Sequence, residues 1–280
     1  MEGKNSVKYG IVQGRLIQSP KGCLQWFPQE HWRSEFFVAS SLGYDYIELI
    51  AERERNKNNP LWSDEGNKEI LSLCERNNLV VHAVCDDYVI DHPLVGENSQ
   101  DAIDNGLALI QRGGKLGAKK YVLPLFEKGE LNTDNLNLFK DPICRLADEA
   151  AKYGMTICLE TILNGEQLLK FLKMVNHSSV KVVFDTGNRV AFGHDLYEDI
   201  LLLGDSITHV HIKDKNKNNE NVYLGTGLVN FYDVFRALKK INYMGPYTFE
   251  TYRGSDPIKT ARYHMSVTEY FEYEAAQIQD

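Results

Sequence analysis

The chain has 280 residues, 43% of them hydrophobic and 25% charged, which is enough for one sizeable core and fits one α/β barrel or two small domains. Its formal net charge of −8 weighs against wrapping nucleic-acid phosphates, which needs a basic face, and no apolar run is long enough to span a bilayer. The start, Met1-Glu-Gly-Lys-Asn-Ser6, has no basic region followed by an apolar stretch, and the five cysteines (Cys23, Cys74, Cys85, Cys144, Cys158) form no Cys-x-x-Cys pair, so no secretory signal, free thiols and a cytoplasmic location are expected.

Short β-rich runs fall at 9–14, 46–50, 79–84, 120–125, 156–160, 180–185, 208–213 and 247–251. Helical periodicity fills several of the gaps. Residues 64–77 place Ile70, Leu71, Leu73 and Cys74 on one face; 99–117 carry Ile103, Leu107, Ile110 and Leu116; 133–153 carry Leu136, Phe139, Ile143, Leu146 and Ala150; 231–240 carry Val234, Phe235 and Leu238. Gly117 and Gly154 read as helix stops. Eight strand–helix units of about 35 residues each predict an α/β fold, a single (β/α)8 TIM barrel over residues 1–280. An open doubly wound sheet is second, because Gly14 stands alone where its glycine-rich turn would be.

The last four strands each bring a metal-binding side chain near their C-terminal end: Glu160 in Thr156-Ile-Cys-Leu-Glu160, Asp185 in Lys181-Val-Val-Phe-Asp185, His211 in Thr208-His-Val-His211 and Glu250 in Tyr247-Thr-Phe-Glu250. Neighbouring strands lie about 5 Å apart, so ligands at matching heights can converge on one ion at the rim of a barrel. Three carboxylates and an imidazole form a hard, oxygen-rich set that favours one divalent ion, Mn²⁺, Mg²⁺, Co²⁺ or Zn²⁺. Period-two alternation puts His209, His211 and Lys213 on one inward face, and Thr248 with Glu250 on another. Asp185 could also simply cap the turn that follows it.

The chain resembles the xylose isomerase-like TIM-barrel superfamily, the sugar phosphate isomerase/epimerase group with ketose 3-epimerases and inosose dehydratases. The matching stretches are Cys158-Leu-Glu160, Val183-Phe-Asp-Thr-Gly-Asn188, His209-Val-His-Ile-Lys-Asp214, Gly225-Thr-Gly-Leu-Val-Asn-Phe231, Leu238-Lys-Lys-Ile-Asn-Tyr-Met-Gly245 and Thr248-Phe-Glu250, with Gly10-Ile-Val-Gln-Gly-Arg-Leu16 near the start. The resemblance implies that Glu160, Asp185, His211 and Glu250 hold the metal, and that Glu160 and Glu250 are the catalytic acid–base pair. It implies a small sugar, polyol or sugar phosphate as substrate, reached through an enediolate, and a possible homo-oligomer. Dehydration of an inosose-type substrate and an endonuclease IV-like phosphodiesterase are the alternatives. Many members have a histidine where this chain has Asn188, which departs from the ketose 3-epimerase pattern; an amide can bond a sugar hydroxyl but does not titrate near neutrality.

Other rim residues are candidates for substrate contact. Glu48 resembles a substrate-contacting glutamate of the superfamily, or pairs with Arg53 or Arg55. Arg15 could hold a hydroxyl, carboxylate or phosphate, or make a structural pair. Arg253 is a further anion-binding candidate, and Lys213 points inward if the alternation holds. His82 is expected on one face with Val80 and Val84, and Asp86 or Asp87 could border the pocket. Gln25-Trp-Phe-Pro28 and Trp62 could form part of a lid or pack on the barrel. The run Asp214–Glu220 reads as a solvated loop.

Overall fold

A computed structural model describes residues 7–20 and 23–277. The β-rich runs become eight parallel strands: β1 (Tyr9–Val12), β2 (Tyr46–Ala51), β3 (Val80–Asp86), β4 (Lys120–Leu125), β5 (Thr156–Thr161), β6 (Val180–Asp185), β7 (Ile207–Ile212) and β8 (Tyr247–Phe249). Each pairs with its neighbours in sequence, and β8 pairs with β1, so the barrel is closed. Around it run α1 (Trp32–Leu42), α2 (Asp64–Asn77), α3 (Tyr88–Asp91), α4 (Ser99–Lys115), α5 (Leu136–Lys152), α6 (Gly165–Val175), α7 (Thr186–Ala191), α8 (Leu196–Leu203), α9 (Phe231–Lys240) and α10 (Pro257–Gln277). Among the described residues, no helix is long and apolar enough to cross a membrane.

The outward faces of the strands make the main hydrophobic core. Ile47, Leu49, Val84, Leu123, Leu159, Phe184 and Val210 belong to one buried cluster with Phe139, Leu168 and Val234 of the helices. Each such side chain contributes about 1.5–3 kcal/mol on burial. The helix stops behave as read: Gly117 and Gly154 take φ of 87° and 63°, a region open to glycine at little cost. α6 starts on a capping box, in which Asn164 and Gln167 each bond the other's backbone N–H.

Several boundaries differ from the sequence reading. β1 stops at Val12 rather than 14, because Gly14 turns at φ 83° under the Trp26 carbonyl, where a Cβ would come within 2.2 Å of that oxygen. α5 begins at Leu136 rather than 133, after a turn in which Asn132 and Asn135 bond local backbone. β8 ends at Phe249 and β7 at Ile212, so Glu250 and Lys213 stand one residue beyond their strands.

Strand β3 departs from simple alternation. Ile47 pairs with Val81 and Glu48 with Ala83, so His82 is an extra residue, a β-bulge. His82 turns inward, with its ring 5.0 Å from that of Tyr46 and 6.1 Å from that of His209. Val84 faces outward instead of sharing that side; a Cβ at Gly113 of α4 would lie 3.0 Å from it. A second bulge leaves Thr208 unpaired opposite Val182 and Val183, just before the two histidines of β7.

Candidate metal and acid–base site

The four residues singled out on the last four strands converge. Glu160, Asp185, His211 and Glu250 each offer a ligand atom, and these atoms all lie within 4.8 Å of one another. All four side chains are buried, at the C-terminal end of the barrel. Pairing explains the convergence: Asp185 lies directly beside His211 in the β6–β7 ladder, and Glu250 continues the β7–β8 ladder by donating its N–H to the Ile212 carbonyl. Parallel strands that present side chains of one face at one height produce such a ring.

Lys213 enters this ring from the side. Its Nζ is 2.9 Å from Asp185 Oδ2 and 2.7 Å from Glu250 Oε2, which fits the inward direction expected for it. The aliphatic stem of Lys213 packs against Gly187 of α7, where a Cβ would stand 2.8 Å from its Cγ. Arg15 supports Glu250 from the other side, with Nη2 3.0 Å from Oε1. Asp185 has two tasks: Oδ1 caps α7 by accepting the Asn188 N–H at 2.6 Å, while Oδ2 faces the ring. The cap expected for it is therefore compatible with a place in the ring.

The two glutamates sit in different fields. Burial, and then the Asp185 carboxylate, push the Glu160 carboxyl up to about 8. Burial also opposes charge on Glu250, but Lys213, the His211 hydrogen bond and Arg15 outweigh it and hold Glu250 well below the usual carboxylate range. The ring is therefore short of positive charge on the Glu160 side even with Lys213 present. Three buried carboxylates, one imidazole and unmet negative charge fit a divalent cation.

The supporting residues fall differently from their sequence assignments. Asn188 donates its amide to Glu160 Oε1 at 2.6 Å, so it orients a carboxyl of the ring. Glu48 is no rim charge: it is fully buried beneath the ring, and its oxygens meet His209 Nε2 at 2.8 Å and His211 Nε2 at 3.1 Å. Arg53 pairs with Glu127 and Asp91, and Arg55 with Asp101, so neither reaches Glu48. Arg15 is only 2% exposed, and beyond Glu250 it donates to Gln25 Oε1 and the Thr251 carbonyl. Arg253 donates to the carbonyls of Gly14 and Cys23, anchoring the first loop instead of opening to the mouth.

The two aspartates at the end of β3 point opposite ways, and the bulge sets which one leaves the lumen. Asp86 faces the helices, bonded to Tyr121 and Asn105, while Asp87 accepts from Cys85 Sγ. Burial pushes Asp87 up to about 7, and Glu250 adds to that shift. Phe27 and Pro28 are buried in the first loop, whereas Trp26 and Trp62 are half-buried. The run from Asp214 is not uniformly solvated. Asp214 is 1% exposed and collects the N–H groups of Gly225, Gly227 and Val229, organising the loop after β7. A Cβ at Gly227 would meet Asp214 Oδ1 at 2.2 Å, which is why Gly225-Thr-Gly227 has its spacing. Among the described residues the five cysteines are free thiols.

A closed parallel barrel with carboxylates and an imidazole gathered at its C-terminal mouth defines a TIM barrel with a candidate metal site at its open end. The chain belongs to the xylose isomerase-like TIM barrel family, whose sequence model matches residues 36–270. It is 32% identical over 145 residues to a ketose 3-epimerase of Arthrobacter globiformis, covering 49% of this chain and 47% of that one, so the match spans about half the length of that relative. It is 25% identical over 235 residues to an L-ribulose-5-phosphate 3-epimerase of Escherichia coli, covering 79% of this chain and 82% of that one. A solved D-allulose 3-epimerase of a Methylomonas species superposes with a TM-score of 0.76 at 23% identity, over 95% of this chain and 98% of that one. A zinc-bound IOLI protein superposes with a TM-score of 0.75 at 17% identity, over 97% and 100%.

Proposed function

We propose that the chain is a divalent-metal-dependent epimerase or isomerase of a small sugar, polyol or sugar phosphate, working through an enediolate. The observation that carries this reading is the convergence of Glu160, Asp185, His211 and Glu250 within 4.8 Å. The names of the relatives, which are 3-epimerases of ketoses and of a pentulose phosphate, support the substrate class.

The chemistry follows from the two carboxyls. A proton α to a carbonyl is weakly acidic, and its removal needs a base held within hydrogen-bond reach. Glu250, kept ionised by Lys213 and Arg15, is suited to take that proton. Glu160, which enters the ring from another strand and is oriented by Asn188, is suited to return one to the opposite face of the same carbon. That sequence inverts the carbon; return to the neighbouring carbon interconverts aldose and ketose. Lys213 can stabilise negative charge that develops on a substrate oxygen. Glu160, Asp185, His211 and Glu250 would hold a divalent cation, which when bound would supply Lewis-acid polarisation of a carbonyl. The test is incubation of metal-loaded protein in D₂O with a panel of ketoses, inososes and their phosphates. Deuterium at a carbon next to the carbonyl is expected; its absence from every compound, with one metal bound per chain, would refute the reading.

A further inference from the structure

His211 presents both ring nitrogens to carboxylates. Nδ1 faces the ring of candidate ligands, 3.2 Å from Glu250 Oε2 and 3.8 Å from Asp185 Oδ2. Nε2 faces down the barrel to Glu48, 3.3 Å from Oε2 and 3.1 Å from Oε1. An imidazole that binds a cation uses one nitrogen, and its orientation is set by what the other N–H donates to. Glu48 is fully buried, and both of its oxygens face imidazoles of β7.

Glu48 is itself held. His209 Nε2 lies 2.8 Å from Oε2, and the Thr248 hydroxyl donates to the same oxygen at 3.4 Å. Thr248 in turn is 2.7 Å from the Tyr46 hydroxyl and 3.0 Å from His209 Nε2. Residues of β2, β7 and β8 thus fix one carboxylate under one imidazole.

We infer that Glu48 is a positioning residue for the metal site: it accepts the Nε2–H of His211 and thereby presents Nδ1 to the cation. This rests on the metal-dependent reading above, and it moves Glu48 from substrate contact to support of a ligand. Glu48, His209 and His211 also have ligand atoms within 4.8 Å of one another, and in this structure both imidazoles contact the one carboxylate directly.

The test uses the full chain freed of metal and titrated with Co²⁺ by calorimetry. Glu48→Gln keeps the shape and removes the charge; it is expected to keep one site per chain and a native circular dichroism spectrum, with cobalt affinity weakened about 10–100-fold. Affinity within about threefold of wild type in a folded Glu48→Gln protein overturns the inference. So does unchanged cobalt affinity with a raised KM for a ketose, which would return Glu48 to the substrate. A second measurement needs no variant: ¹⁵N resonances of His211 in the zinc-loaded wild type should show Nδ1 coordinated and Nε2 protonated. The opposite pattern overturns the inference by itself. A wild type that binds no cobalt at all overturns the metal-dependent function and this role with it, a result distinct from a wild type that binds and a variant that binds equally well.

Discussion

The barrel interior holds two polar layers that differ in kind. The upper layer, Glu160, Asp185, His211, Lys213 and Glu250, is made of charges whose balance is incomplete. The lower layer, Tyr46, Glu48, His82, His209 and Thr248, is a hydrogen-bonded packing of rings and hydroxyls around one carboxylate. Burial alone would raise Glu48, yet His211 and His209 outweigh it and hold it down at about 2. The contrast separates two uses of buried polarity. One layer keeps unmet electrostatic demand for something that binds; the other ties its carboxylate to two imidazoles and a hydroxyl and gives the first a fixed floor.

The largest effects should come from the upper layer. Glu160→Gln and Glu250→Gln are each expected to reduce solvent-deuterium exchange by at least about a thousandfold, within the range for loss of a positioned acid or base. Retained exchange in either variant removes that residue from the acid–base pair. Chelation of the cation should abolish exchange and Mn²⁺ should restore it, while far-ultraviolet circular dichroism stays native, because Lys213 bridges Asp185 and Glu250 without help. Unfolding on chelation would show that the layer is structural and erase the contrast.

The lower layer should answer in stability. Thr248→Val leaves the Tyr46 hydroxyl without its hydroxyl partner and weakens the hold on His209, at a cost of about 1–3 kcal/mol read by denaturant unfolding. A loss of exchange activity larger than the loss of stability would mean the two layers act as one. An effect of comparable size appears only in acid. Burial, and next the neighbouring His209, lower His82 from 6.5 to about 3. Below pH 6.5 the unfolded chain therefore binds a proton that the folded chain does not, so stability from this group is complete above 6.5 and falls as pH drops toward 3. At pH 5 the loss is about 2 kcal/mol. His82→Phe should flatten that part of the pH profile; an unchanged slope would place the titration elsewhere.

The upper layer was legible in the sequence and the lower one only in the inward direction of His209 and Thr248, for a physical reason. Glu160, Asp185, His211 and Glu250 occupy equivalent places on strands that pair in order, so spacing carries the geometry. Glu48 and His82 act across the barrel, between strands distant in sequence, and one-dimensional periodicity contains nothing about such contacts. The bulge at His82 also breaks the period-two rule that placed Val84 beside it. Helices followed the same logic. α2 and α9 have apolar stripes and match their expected bounds, whereas the buried face of α10 includes Thr260, Ala261, His264 and Thr268, which no hydrophobic pattern reveals. Asp214 was misread because a run of Lys and Asn hides the one carboxylate that gathers three backbone N–H groups.

The extra residue in β3 has a consequence for anyone altering this chain. It changes the parity of the strand, so that every side chain above position 82 swaps sides relative to a regular ladder. Straightening the ladder with that residue kept, so that His82 pairs with Glu48, would send Cys85 toward the helices and bring Asp86 into the lumen, adding a carboxylate to a chamber already crowded with them. Insertions and deletions in the strand are thus questions of sidedness more than of length.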